Sequence, residues 1–144
     1  MLFRSRMKIF LDTNVLVYAV DATDPDKHAK AVAIVQDALR NRRAYAISVQ
    51  ALTEFSNVAL GKLGLPPADV LDFLRVFRGL DTISPDLPLV LRGVELKALH
   101  GIHFYDAMMV GAAERAEAAE FWSEDLNPGQ RYGGILVRNP FRDV

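Results

Sequence analysis

Short apolar runs alternate with longer stretches of helical periodicity along this chain. The first run, Ile9-Phe10-Leu11, is apolar at three successive positions, ends abruptly at Asp12, and is typical of a strand buried on both faces. Similar short runs predict further strands at residues 44–49, 81–84, 120–123 and 135–137. Apolar residues at helical spacing predict helices at residues 27–43, 50–62, 67–80, 87–100 and 105–118, with a short buried helix at 15–20.

This alternation of strands and helices favours an α/β fold in which helices cover both faces of a parallel sheet. We expect three layers, α/β/α, with a central, mostly parallel sheet of four or five strands. A chain of 144 residues with 51% apolar content fits one domain with a sizeable core. Residues 1–6 precede the first strand and are predicted to be a disordered leader, which makes Met7 an alternative start.

The helix at residues 87–100 carries an apolar stripe that predicts a face packed in the core. Its members are Leu87, Val90, Leu91, Val94 and Ala98. The two helices between residues 66 and 99 carry abundant apolar side chains, and we expect the dimer contact there.

Charge and cysteine content exclude several classes of protein. The formal charge is −1, so the surface lacks the basic excess that holds nucleic acid by electrostatics alone, and any such contact must be local. The absence of cysteine excludes disulfides, thiolate zinc sites and cysteine nucleophiles. No apolar run reaches the length of a membrane span, and we expect a cytoplasmic protein with no membrane partner.

Four acidic residues occupy positions where an apolar or water-facing residue would be expected. Asp12 and Asp125 each follow a predicted buried strand, and ligands bind outside the carboxyl ends of strands in open α/β sheets. Glu54 and Asp106 lie in helices on faces that they share with apolar residues. Each acid alone also has an ordinary explanation, because Asp12 could cap the next helix and Asp106 could interact with a helix dipole. Glu124 neighbours Asp125, and only one of the two can easily face the same cleft as Asp12.

Together these acids predict a metal site. Two carboxylates about 4 Å apart repel by about 4 kcal/mol at an effective dielectric of 20, and a bound cation removes that cost. Oxygen ligands without thiolates or a histidine pair favour Mg²⁺ or Mn²⁺. Such an ion suits phosphodiester hydrolysis, since it lowers the pKa of the attacking water and stabilises the leaving oxygen.

Four sequence motifs resemble, in order and approximate spacing, those of PIN-domain nucleases, and in particular bacterial VapC toxins. They are Phe10-Leu11-Asp12-Thr13-Asn14-Val15, Leu52-Thr53-Glu54-Phe55, Phe104-Tyr105-Asp106-Ala107 and Trp122-Ser123-Glu124-Asp125-Leu126. The resemblance covers nearly the whole chain, which would make residues 1–144 a single PIN domain. It implies a Mg²⁺- or Mn²⁺-dependent endoribonuclease that cuts structured RNA, forms a homodimer and is inhibited by a VapB-type antitoxin.

The resemblance also implies roles for individual residues. The catalytic acids would be Asp12, Glu54, Asp106 and Asp125, and the surest metal ligands Asp12 and Asp106. Ser123 would match the family's hydroxyl residue near the metal. Thr13 and Asn14 would support the site, and we expect both to cap the short helix that follows.

The remaining polar and aromatic candidates have simpler explanations. We expect His100 and His103 to lack catalytic duty, although both could touch RNA. We also expect Tyr105 and Trp122 to be core aromatics rather than surfaces on which bases stack. Arg131 and Arg138 are expected to be solvated charges.

Two other functions stay open at this point. The first is a PIN-like regulator that binds a partner without catalysis. The second is an aspartyl-phosphate phosphatase or receiver domain in which Asp12 is phosphorylated. That class needs a second acid close to the nucleophile and a lysine across the cleft, whereas position 14 is asparagine and no lysine follows Asp106.

Overall fold

A computed structural model describes residues 7–142, so the predicted leader at residues 1–6 lies outside the described residues. The strands are β1 (Ile9–Leu11), β2 (Tyr45–Ser48), β3 (Asp81–Ile83), β4 (Glu120–Trp122), β5 (Arg131–Tyr132) and β6 (Ile135–Arg138). The α-helices are α1 (Thr13–Tyr18), α2 (Pro25–Arg40), α3 (Val49–Leu60), α4 (Pro67–Phe77), α5 (Leu87–His100) and α6 (Phe104–Arg115), and a 3-10 turn covers Arg42–Ala44. Within this part of the chain, no helix is both long and apolar enough to cross a lipid bilayer.

The six strands form one sheet in the order β3-β2-β1-β4-β6-β5. All neighbouring strands are parallel except β5 and β6, which pair as an antiparallel hairpin. The predicted α/β fold with a mostly parallel sheet is therefore confirmed. The sheet has six strands, whereas four or five were expected. The additional strand, β5, is only two residues long and is flanked by turn residues, so it shows no strand periodicity in the sequence.

The central strand β1 positions the functional edge of the sheet. Phe10 and Leu11 have no solvent exposure, as expected for a strand with neighbours on both sides and helices on both faces. β1 and β4 run in register, with Leu11 beside Trp122. The residues that follow them, Asp12 and Ser123, consequently emerge side by side at the carboxyl edge of the sheet.

A two-glycine turn joins β5 to β6. Gly133 has a φ of +60°, which a residue with a Cβ rarely adopts and which suits the tight turns of two-residue hairpins. A Cβ at Gly133 would also overlap the carboxylate of Glu114, which accepts hydrogen bonds from the guanidinium of Arg92 at 2.7 and 2.9 Å. The hairpin therefore packs directly on an ion pair that links α5 to α6.

The stripe predicted to bury α5 faces solvent instead. Leu87, Leu91 and Val94 are 69%, 58% and 55% exposed. The core contact is made from the opposite face, by Leu89, Gly93 and Leu96. Gly93 allows α6 to approach closely, because a Cβ there would lie 2.8 Å from the sulfur of Met108. The prediction was wrong because α5 is apolar on two faces, and periodicity alone does not say which one meets the rest of the domain.

Candidate metal centre

Asp12 lies at the end of β1 and is the N-cap of α1. It is only 4% exposed. One carboxylate oxygen, Oδ1, accepts a hydrogen bond from the backbone N–H of Thr13 at 2.7 Å, and the other, Oδ2, accepts one from the hydroxyl of Ser123 at 2.6 Å. Both sequence interpretations of Asp12 are thus compatible, because a carboxylate has lone pairs left over after capping a helix.

Ser123 connects two of the acids. Its side chain is completely buried, and its Oγ donates to Asp12 while accepting from the backbone N–H of Asp125 at 3.0 Å. A single hydroxyl therefore fixes the orientation of one carboxylate and the course of the loop that carries another.

Three carboxylates converge at this edge of the sheet. Asp106 reaches it from the first turn of α6, and Asp125 from the loop after β4. One oxygen atom from each of Asp12, Asp106 and Asp125 lies within 4.8 Å of the other two. Oxygen atoms at this spacing can share one divalent cation.

The pKa values of all three acids are raised. For Asp12 the pKa rises from 3.8 to about 7, chiefly because burial disfavours the charged form; the hydrogen bonds from Ser123 and Thr13 oppose that shift, and repulsion from the other two acids adds to it. Burial followed by repulsion from Asp125 raises the pKa of Asp106, and burial followed by repulsion from Glu124 raises that of Asp125. A cluster that resists ionisation on its own is what a bound cation would stabilise.

The side chain of Asn14 supplies an independent test of whether an ion fits. Its Nδ2 donates to Asp125 at 3.3 Å, but its Oδ1 is enclosed and has no hydrogen-bond donor among the described residues. A buried acceptor without a donor is unfavourable. An unpartnered oxygen next to three converging carboxylate oxygens makes a donor set of oxygen atoms only, and such a set fits a hard divalent cation such as Mg²⁺ or Mn²⁺.

Thr13 and Asn14 do not cap α1 as predicted. Only Asp12 has the extended backbone of an N-cap residue and a side chain that accepts from the first turn. Thr13 begins the helix, and its hydroxyl donates to Glu54 at 3.1 Å, while Asn14 contacts Asp125. Both side chains thus reach acids of the predicted site rather than the helix end.

Glu54 lies outside the group of three. It accepts from Thr13 and, through its other oxygen, from the amide of Gln50 at 2.9 Å. Together with Asp106 it lines a cavity of about 670 Å³, so this cavity adjoins the cluster at Asp106. Glu54 is therefore a neighbour of the convergent carboxylates and contributes negative charge to them.

Glu124 does not belong to the three converging carboxylates, in keeping with the expectation that only one of the two adjacent acids faces the same cleft as Asp12. It accepts from the hydroxyl of Tyr18 at 2.5 Å and from the ammonium of Lys27 at 2.9 Å. The ring of Tyr18 packs in turn against Phe141. This clamp was missed in the sequence because it joins residues about a hundred positions apart, and neither Tyr18 nor Lys27 lies in a recognisable motif.

The other candidates occupy varied surroundings. Trp122 is partly buried against the core, as expected, and its N–H donates to Glu120, which also accepts from Arg138. His100 packs against Tyr132. The prediction of a buried Tyr105 was wrong: the side chain is 59% exposed, because Tyr105 lies in the first turn of α6 on the side that faces the cavity.

Comparison with known proteins gives a consistent result. The profile of the family described as PIN domain matches residues 9–131. Among solved structures, a DNA-bound VapBC complex from Salmonella typhimurium is similar, with a TM-score of 0.66, 20% identity, and coverage of 93% of this chain and 98% of that one. The toxin VapC20 from Mycobacterium tuberculosis, which cleaves the sarcin-ricin loop, has a TM-score of 0.64, 17% identity, and coverage of 82% and 92%. No curated protein sequence matches the chain.

Proposed function

Because the chain belongs to the PIN-domain family, we propose that it is a Mg²⁺- or Mn²⁺-dependent endoribonuclease that hydrolyses phosphodiester bonds in RNA. The observation that carries this proposal is the convergence of carboxylate oxygens from Asp12, Asp106 and Asp125 within 4.8 Å of one another. A bound cation would offset the repulsion among these buried acids. Hard divalent ions also bind phosphate groups, which are the reacting groups of RNA.

The acidic side chains would hold the ion, and their polar neighbours would orient them. Asp12 and Asp106 would hold the ion, Asp125 would complete the site, and Glu54 would support it from the cavity wall. Ser123 keeps the Asp12 carboxylate aimed at the cluster, and Asn14 does the same for Asp125. A divalent ion bound here supplies Lewis-acid activation of water and of the scissile phosphate.

A metal-removal experiment tests this function. Purified protein is incubated with labelled RNA in Mg²⁺ or Mn²⁺, in EDTA, and in EDTA followed by excess Mn²⁺. We expect cleavage with metal, none in EDTA, and recovery on re-addition. Cleavage that persists in EDTA would indicate a contaminant or different chemistry, and binding of Mn²⁺ without cleavage of any RNA would favour the non-catalytic regulator.

We further propose that the protein is the toxin of a toxin-antitoxin pair and acts on cytoplasmic RNA. The support is the set of similar structures, which includes VapBC complexes from Salmonella typhimurium and Rickettsia felis. The partner would be a VapB-type antitoxin. Co-expression with the antitoxin should relieve growth arrest that the chain alone causes.

The outer face of α5 supports a homodimer. Its exposed side chains Leu87, Leu91 and Val94 form a stripe opposite the face that packs on the domain. A helix that is apolar on both faces is normally buried on both. The stripe extends for about 11 Å at 1.5 Å per residue, and a two-fold axis would pair it with the same stripe of a second copy. Such a contact supplies the apolar centre of an interface of about 800 Å² per subunit.

Light scattering after size exclusion tests this dimer. The double substitution Leu91→Asp and Val94→Asp should convert a particle of twice the chain mass into one of a single chain mass, because charges buried in the interface would lack partners. Leu60→Asp is the control, since Leu60 is also about half exposed but lies at the end of α3. A double variant that stays dimeric would exclude α5 as the interface.

A further inference from the structure

Tyr105 is an exposed aromatic residue held next to the candidate metal centre. It directly precedes Asp106 in the first turn of α6, and the residue is 59% exposed. The ring stacks on the imidazole of His103, with 5.8 Å between centroids and 29° between planes, and contacts Phe104 edge-on. His103 is the N-cap of α6, and its Nδ1 accepts from the backbone N–H of Tyr105. The ring is therefore oriented by its neighbours while its other face stays open.

This stacked pair forms one wall of the cavity beside the acids. The cavity measures about 670 Å³, and α3 supplies the facing wall through Val49, Gln50 and Thr53. Gln50 ties the two walls together, since its amide donates to the backbone carbonyl of Tyr105 at 3.1 Å and to Glu54 at 2.9 Å. A cavity of this size accommodates a nucleobase, for which pockets of 300–1,000 Å³ are typical of small ligands.

The chemistry of the lining favours a base over a phosphate. Glu54 and Asp106 repel anions, and neither a lysine nor an arginine lines the cavity among the described residues. Aromatic rings with an open face, by contrast, stack on nucleobases of any sequence. The phosphate would then lie at the three aspartates and its base in the adjoining cavity.

We propose that the stacked pair of Tyr105 and His103 is a platform for the nucleobase next to the scissile phosphodiester. This inference rests on the proposed ribonuclease function and names the form of its substrate. A base within a duplex is stacked on both faces and cannot reach the platform, so the nucleotide at the cleavage site must be unpaired and splayed out. Tyr105 thus binds substrate without holding the metal, and it selects unpaired over paired nucleotides rather than one base over another.

The test combines a protein substitution with a substrate substitution. Cleavage of a single-stranded RNA is measured as kcat/KM for the wild type, Tyr105→Phe and Tyr105→Leu, with intact RNA and with RNA carrying an abasic nucleotide on either side of the cut. We expect Tyr105→Leu to lose about 5- to 150-fold on intact RNA, the factor that one base–aromatic stack supplies, and Tyr105→Phe to stay near the wild type. On the RNA whose abasic position matches the platform, all three proteins should cleave equally slowly, since the interaction is already absent.

Separate outcomes distinguish the two proposals. Mn²⁺ affinity, measured by calorimetry, should be the same in all three proteins, which checks that the metal centre is intact. An equal loss by Tyr105→Leu on intact and abasic RNA, or no loss at all, would overturn the platform while leaving the nuclease in place. Absence of any metal-dependent cleavage by the wild type would overturn the proposed function, and the platform with it.

Discussion

Replacing Asp12 with asparagine is expected to reduce metal-dependent RNA cleavage by more than about 100-fold, since the loss of mere supporting residues around a metal already costs about 10- to 100-fold. Asparagine has the same shape and can still accept from the N–H of Thr13 with its one oxygen. It lacks the negative charge and the second oxygen, which in the wild type accepts from Ser123. The substitution therefore removes a ligand for the cation without opening a cavity in the core.

The measurement is initial-rate cleavage at saturating Mn²⁺, together with the Mn²⁺ affinity from calorimetry. Asp72→Asn is the matched control, because Asp72 is an exposed residue of α4 whose ion pair with Arg75 lies at the surface. It should retain full activity. Full activity of Asp12→Asn would show that the three aspartates are not the reaction centre and would remove the main support for the proposed nuclease.

The acidic positions were the most predictable part of the site. Asp12 and Asp125 follow the apolar runs that form β1 and β4, and parallel strands end at the same edge of a sheet. Asp106 lies on the side of α6 that faces this edge. The register between β1 and β4 then brings Ser123 beside Asp12. Local sequence contains this information because a short continuous apolar run is the signal of a buried strand, and the end of the run marks the end of the strand.

Contacts across the fold were less predictable. The clamp on Glu124 depends on Tyr18 and Lys27, which are distant in sequence and reach it only once α1 and α2 are packed. Tyr105 was predicted to be a core residue because it is aromatic and lies next to apolar residues in the sequence. Its exposure depends on the cavity between α3 and α6, which the sequence does not reveal. The buried face of α5 was also not predictable, because the helix is apolar on two faces. The face that is buried is the one that α6 approaches closely at Gly93.

The stability of the metal-free protein should depend on pH through Asp12. Its pKa in the folded protein is about 7, whereas the ordinary value is 3.8. Between these values the folded state keeps a proton that the unfolded state has released, so the free energy of unfolding falls as the pH rises. The full loss through this group is about 4 kcal/mol, at 1.36 kcal/mol per pKa unit, and it is complete above about pH 7. The raised pKa values of Asp106 and Asp125 act in the same direction.

A divalent cation should reverse this trend. Protons compete with the metal for the same carboxylates, so Mn²⁺ binds more tightly as the pH rises towards 8 and stabilises the folded state by mass action. Urea unfolding at pH 5, 6, 7 and 8, in EDTA and in Mn²⁺, measures both effects. In EDTA, the free energy of unfolding of the wild type should fall relative to that of Asp12→Asn as the pH rises from 5 to 8, and Mn²⁺ should reduce this fall. Parallel pH profiles for the two proteins in EDTA would contradict the prediction, because they would mean that ionising the Asp12 carboxylate does not destabilise the folded protein.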